Sequence, residues 1–238
     1  MKKYLIPTDL LRKYLPTLHR TIIDVGCGNG DTVRWLASQG ARVTGLDSPE
    51  MLAKARQVPP WGTEEYIEGE AQKLPFADKS ADVILFQASF HHVPAEAMTA
   101  AALECRRVLK KNGRAVFIEP VYRAGAYTEI TRLVGDEEEI QKKAQATIVS
   151  MARSGMTMEK EEFFFLERSF ADYIHLLELH VDDAIDRAAI LARARKITEK
   201  FSAAAGIDFV DFRYPSICRL NVLVKGGAVE RSVQGVTQ

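Results

Sequence analysis

Thr21-Ile22-Ile23-Asp24-Val25-Gly26-Cys27-Gly28-Asn29-Gly30-Asp31 is the stretch whose reading decides the fold. Residues of buried-strand character run straight into glycines at alternate positions, and residues 31–39 then read as a helix stopped by Gly40. Glycine lets the chain bend sharply and leaves no Cβ between the backbone and a ligand. The helix that follows points its free N–H groups at the same place. Strand, bend and helix in succession predict a site for a nucleotide-like ligand. A dinucleotide fingerprint needs a third glycine at position 31, which is instead Asp31, a carboxylate where a pyrophosphate would have to bind. No Gly-Lys-Ser/Thr follows, so the P-loop pattern is missing as well. A ligand with an adenosine half and no phosphates suits this bend better.

Working outward, residues 41–46 form a second strand that ends at Asp47, and residues 49–57 a second helix. Short strands follow at 65–68 and 81–86, then a long helix at 94–109 and a fifth strand at 113–119. Strands alternating with helices over short connections predict a parallel sheet covered on both faces, because parallel strands need crossovers. Upstream, Thr8 or Asp9 can cap a helix carrying Leu10, Leu11, Tyr14 and Leu15 until Pro16. Downstream of Pro120 the character changes. Residues 127–155 look helical, with Asp136-Glu137-Glu138-Glu139 suited to a helix N-terminus. A sixth strand fits residues 161–171, a helix 181–205 and a last strand 217–225, before a polar tail at 226–238.

The bulk numbers narrow the partners. Of 238 residues, 47% are hydrophobic and 27% charged, enough apolar material for one sizeable core. Lys+Arg and Asp+Glu both total 32, so the basic excess that phosphate binding calls for is missing, and neither nucleic acid nor a membrane is expected as a partner. Cys27, Cys105 and Cys218 are far apart, with no C-x-x-C pair, which fits a reducing, cytoplasmic setting. No run approaches the ~20 apolar residues of a membrane span.

Further along, Asp47 stands at the tip of the second strand, where a carboxylate can accept hydrogen bonds from both ribose hydroxyls. Gly69-Glu70-Ala71-Gln72-Lys73-Leu74-Pro75-Phe76 and Asp82-Val83-Ile84 complete a series with the glycine bend and Gly45-Leu46-Asp47. In order and spacing this series resembles the class I, Rossmann-like S-adenosylmethionine-dependent methyltransferases of the small-molecule type. Arg107-Val108-Leu109-Lys110-Lys111-Asn112-Gly113-Arg114 is similar to that family's R-x-L-K-P-G-G turn, with Lys111-Asn112 where Pro-Gly is usual. The resemblance covers residues 22–119.

The resemblance implies an α/β fold: a doubly wound, mostly parallel seven-stranded sheet, its last strand antiparallel, with a helical lid. Residues 1–20 would be a cap helix folding over the cofactor, 21–125 the S-adenosylmethionine-binding core, 126–225 lid insertions and closing strands, and 226–238 a flexible tail. It also implies that Asp24, Gly26, Gly28 and Gly30 face the methionine end of the cofactor and Asp47 its ribose. Glu70 and Ala71 would lie by the adenine, with Glu70 where the family often has Asp, and Gln87 by the methionine portion. S-adenosylhomocysteine would be the product.

Ser89-Phe90-His91-His92-Val93 follows the fourth strand, at the carboxyl edge where ligands bind in such sheets. His91 can serve as a base toward a substrate, and the alternative is a structural pair, one ring packed and one capping a helix. Adjacent histidines with no acidic cluster beside them in the sequence predict no metal site. His92, Glu119 and Tyr122 join His91 as substrate-pocket residues, with Phe90 and Phe163-Phe164-Phe165 available to line or back the cavity. The Asn/Asp-Pro-Pro-Tyr/Phe motif of nucleobase methylation is missing here, which again points to a small-molecule acceptor. Two other functions share the same residues: a protein that holds the cofactor without turnover, and a nicotinamide-dependent oxidoreductase, which Asp31 opposes. Oligomeric state is not legible.

Overall fold

The computed structural model describes residues 7–15, 17–181 and 183–226; the proposed tail beyond Gly226 lies outside them. The elements run α1 (Pro7–Tyr14), β1 (Thr21–Val25), α2 (Asp31–Ser38), β2 (Arg42–Asp47), α3 (Pro49–Ala55), β3 (Glu65–Glu68), β4 (Ala81–Gln87) and α4 (Met98–Val108). They continue with β5 (Leu109–Pro120), α5 (Ala126–Thr131), α6 (Glu138–Met151), β6 (Met156–Arg168), α7 (Phe170–His180), α8 (Ala184–Ala205) and β7 (Tyr214–Lys225).

Among the described residues the seven strands make one sheet in the order β3-β2-β1-β4-β5-β7-β6. The first five are parallel; β7 runs antiparallel between β5 and β6. This is the doubly wound sheet expected, with the last strand reversed. Alternation decides its covering, since successive side chains leave a strand on opposite faces. Ile23, Ile84, Phe86, Ala115 and Phe117 pack beneath α4 and α6. Ile22, Val83, Leu85, Val116 and Ile118 pack on the other side with α1, α2 and α3. A third cluster, around Ile130, Tyr173, Leu177, Ala194 and Tyr214, holds α5, α7 and α8 together as a helical layer.

Several boundaries move. The fifth strand starts at Leu109 rather than Gly113, with a register break against β4 between Ala81 and Val83. Asn112 takes a φ of 63° beside Gly113, so the Lys111-Asn112 turn survives inside the strand. The long helical stretch splits into α5 and α6, leaving Asp136 and Glu137 between them. β6 begins at Met156 and stops at Arg168 because Ser169 and Asp172 form a reciprocal capping box that starts α7.

The N-terminal helix α1 packs on the sheet. Leu10, Leu11 and Leu15 are buried on the sheet face, Arg12 lies 5.6 Å over the Trp35 ring of α2, and Tyr14 bonds Glu162 of β6. These contacts hold α1 on the sheet face and to β6. All three cysteines are buried.

Candidate functional site

The carboxyl ends of β1, β2, β4 and β5 lie along one edge of the sheet, and the glycine bend follows β1 at that edge. Gly26, Gly28 and Gly30 have φ of 74°, 56° and 80°, backbone that side chains with a Cβ rarely adopt. The three glycines answer different needs. A Cβ on Gly26 would stand 2.4 Å from the Ser89 Cβ, and one on Gly30 2.5 Å from the Tyr66 hydroxyl oxygen. A Cβ on Gly28 would meet only the Met51 methyl, at 3.7 Å, so that side of the bend is left open by the protein.

Arg34 braces the bend from behind and is only 1% exposed. Its guanidinium donates to the carbonyls of Asn29 (2.9 Å) and Ala55 (3.1 Å), to the Tyr66 hydroxyl (3.4 Å) and to Asp31 Oδ1 (2.6 Å). Asp31 is therefore compensated, and the repulsion expected between it and a pyrophosphate is weaker than the sequence alone suggests. The missing third glycine still stands against a dinucleotide.

Two carboxylates face this backbone. Asp47 Oδ2 accepts the Gly28 N–H at 2.7 Å and Oδ1 accepts the Ser48 N–H at 2.7 Å, which fixes the carboxylate at the strand tip. Asp24 is 2% exposed and its Oδ1 is buried without a hydrogen-bond partner. Burial, then the charge of Asp47, push its carboxyl up to about 7. An orphaned acceptor beside an open glycine fits a ligand that brings its own donor or positive charge. Cys27, between them, is buried, and its thiol is held well above the usual range by that burial and by both aspartates.

The other residues expected at the cofactor are placed as follows. Gln87 ends β4, and its Oε1 accepts from the Thr32 hydroxyl at 3.4 Å. Ala71 is buried, while Glu70 is exposed, bridged to Lys73 and bonded by Gln72.

Further along the same edge, near the end of β5, Glu119 is 3% exposed and organises the histidine pair. Its Oε1 accepts the backbone N–H groups of Ser89 (3.2 Å) and Phe90 (2.9 Å), and Oε2 accepts that of His91 (3.3 Å). Oε2 also lies 2.5 Å from His91 Nδ1. Burial pushes the His91 pKa down, but the Glu119 hydrogen bond and the charges of Glu119 and Glu137 outweigh it and leave the pKa raised. With Nδ1 committed to Glu119, Nε2 is the atom left for chemistry, and it faces Glu137 Oε2 at 3.7 Å. The His92 ring lies against it, centroids 4.1 Å apart. The sequence offered the pair no acidic neighbour; the turn between α5 and α6 supplies one.

Phe90 is fully buried among Phe86 and Phe117, each ring centroid 5.1 Å away, so it is part of the core beneath the site. The phenylalanine run sits on edge strand β6, where alternation buries Phe164 and turns Phe163 out to 55% exposure. Tyr122 lies just past β5 beneath the Arg132 guanidinium, 4.9 Å from it. Sequence reasoning missed Arg34 and Glu137. Asn29, the loop residue whose carbonyl Arg34 holds, is a small polar residue at a helix start and gave no hint of a buried cation.

A family model described as a methyltransferase domain matches residues 23–117. A demethylmenaquinone methyltransferase of Chlorobaculum parvum is 45% identical over 102 residues, 42% of this chain and 41% of that protein. A chloroplastic 2-methyl-6-phytyl-1,4-hydroquinone methyltransferase of Arabidopsis thaliana is 38% identical over 104 residues, 42% of this chain and 30% of that one. The match thus spans about two fifths or less of the length of these curated relatives. Among solved structures, the YcgJ protein of Bacillus subtilis shares the fold, with a TM-score of 0.64 at 16% identity over 93% of this chain and 98% of that chain. Residues 23–117 thus match a methyltransferase domain, and they lie within a seven-stranded sheet of the doubly wound, Rossmann-like kind.

Proposed function

We propose that this protein transfers a methyl group from S-adenosylmethionine to a small organic molecule. The observation that carries the reading is the open side of Gly28 flanked by two carboxylates, one fixed by backbone amides and one buried without a partner. Asp47 is placed to accept hydrogen bonds from ribose hydroxyls, each oxygen keeping a free lone-pair direction beyond its backbone bond. Asp24 is placed to receive a positively charged amino group, and its orphaned Oδ1 is then satisfied. Gly26, Gly28 and Gly30 let the main chain approach the ligand, Ala71 offers a small apolar surface for the adenine with Glu70 at its edge, and Gln87 closes the methionine side. When bound, S-adenosylmethionine supplies a methyl carbon made electrophilic by its sulfonium.

The chain's own contribution is then positioning and exclusion of water, which needs no catalytic triad. Glu119 locks the His91 ring so that Nε2 points away from β5, and His91, His92 and Tyr122 border the acceptor side. The family match ends at residue 117, so residues 120–213, with α5 to α8 and β6, shape acceptor choice. One relative is named for demethylmenaquinone and the other for a phytyl hydroquinone, which makes quinones and hydroquinones of these kinds the first acceptors to assay.

Calorimetric titration with S-adenosylhomocysteine, then methyl-labelled cofactor offered to a panel of hydroquinones, phenols and amines, tests the proposal. Binding plus label transfer to any acceptor is the expected result. Tight binding with no transfer across the panel favours a cofactor-holding protein without turnover, and no binding removes the proposal altogether.

A further inference from the structure

We propose that His91, His92 and Glu137 form a site for one divalent transition-metal ion of the zinc type, on the acceptor side of the site proposed above. Among the described residues, this is the one group of three or more His, Cys, Asp or Glu side chains whose ligand atoms gather closely, all within 4.8 Å of one another. The His91 Nε2 to Glu137 Oε2 separation is 3.7 Å. Ligand bonds of about 2.0–2.2 Å in a tetrahedron place donor atoms roughly 3.3–3.5 Å apart. Glu137 thus needs almost no movement, and His92, the exposed member of the pair, lies within 4.8 Å of both partners.

The surroundings of His91 supply the second, independent argument. A metal-ligating histidine almost always gives its other ring N–H to a carboxylate, which fixes the tautomer and raises the ligand's basicity. Glu119 does this for Nδ1 at 2.5 Å, and Glu119 is itself anchored by three backbone N–H groups. His91 is thus a rigid, buried ligand with Nε2 as its only outlet. Glu137 Oε2 also accepts from Gln141 Nε2 at 3.0 Å, which orients the carboxylate and leaves its other lone pairs for an ion. Two imidazoles and one carboxylate suit zinc, iron(II) or cobalt(II), and three protein ligands leave a position for water or for an oxygen of the acceptor. The metal-binding claim stands apart from methyl transfer; only the part given to the acceptor rests on that reading. It also changes the role of His91 from a base to a ligand.

Protein stripped with a chelator and then titrated with cobalt(II), read by its visible absorption and by competition with zinc against a chromophoric chelator, tests the site. The expected result is one ion per chain with micromolar or tighter affinity. His92→Ala and Glu137→Gln, both at partly exposed positions, should each weaken it at least tenfold, while His19→Ala on the far loop leaves it unchanged. Absence of binding at about 100 μM metal overturns the proposal. So does binding that either His92→Ala or Glu137→Gln leaves within threefold of wild type. S-adenosylhomocysteine titrations on the same samples keep the two readings apart: cofactor affinity intact with no metal bound ends the metal site alone.

Discussion

Asp24 and Asp47 are two carboxylates one strand apart with opposite predicaments, and the cofactor's chemistry distinguishes them. Asp47 accepts the backbone amides of Gly28 and Ser48, and on the proposed reading it also takes the ribose hydroxyls; Asp47→Ala should then weaken S-adenosylhomocysteine binding by roughly ten- to a hundredfold, the ~1.5–3 kcal/mol of hydrogen bonds to a charged acceptor, as calorimetry would read. Asp24 is buried with one oxygen unpartnered, and its carboxyl is raised to about 7. Against an unfolded value near 3.9, that proton stabilises the unliganded fold fully below about pH 4, and the contribution is lost as pH climbs toward 7. Asp24→Asn should therefore raise the melting temperature of the unliganded protein at about pH 8 and at the same time cost cofactor affinity. A positively charged amino group prefers the ionised carboxylate, so wild-type affinity should strengthen between about pH 6 and pH 8; a flat profile would show that Asp24 does not meet that charge. Both aspartates were legible because Asp47 ends a strand and Asp24 stands one residue before the end of another, and the apolar pattern had already located both strands. Arg34 was not: a cation in the middle of a polar-looking helix face reads as solvated, and only the fold brings Ala55 and Tyr66 around it.

At the scale of elements, the bend separates fold from ligand glycine by glycine. Gly26→Ala combines a left-handed φ with a side chain pressed onto Ser89, and strain plus overpacking of this sort costs about 1–3 kcal/mol; thermal melts should register it before any ligand is added. Gly28→Ala meets no such neighbour, so its melting temperature should fall less and its cofactor affinity more. The opposite ranking would mean the open side faces nothing of use. Helix α1 is a matter of packing. Leu11 is 1% exposed against the sheet, and Leu11→Ala should cost about 2–5 kcal/mol of stability while cofactor affinity in the surviving folded fraction stays the same. Its amphipathic spacing was readable, but the face it covers was not, since periodicity says which side is buried and nothing about what lies beneath it. The single helix expected over residues 127–155 failed for a related reason. Asp136-Glu137 was rightly taken as a helix start, yet the preceding residues form their own short helix, and the turn between the two brings Glu137 to His91.

For the whole molecule, the sequence carried the parallel half and its crossovers, while the insertion of β7 between β5 and β6 depends on long-range pairing that local patterns do not encode. The helical layer of α5, α7 and α8 has a hydrophobic cluster of its own, separate from the two that sandwich the sheet. A separately cored layer can open without unfolding the sheet. Hydrogen exchange should accordingly find amides of α7 and α8 releasing faster than those of β1, β4 and β5, with cofactor slowing exchange at the glycine bend; equal protection everywhere would make the two layers one cooperative unit. The three buried cysteines extend this to chemistry. Cys27 lies in the bend, Cys105 inside α4, and Cys218 in β7, in the sheet cluster with Phe164 and Leu166. Each sulfur is sheltered until its own neighbourhood parts, so an alkylating reagent with mass-spectrometric readout would time three separate openings in the native chain, no label engineered in, and the first of those clocks should slow when the adenosine site is filled.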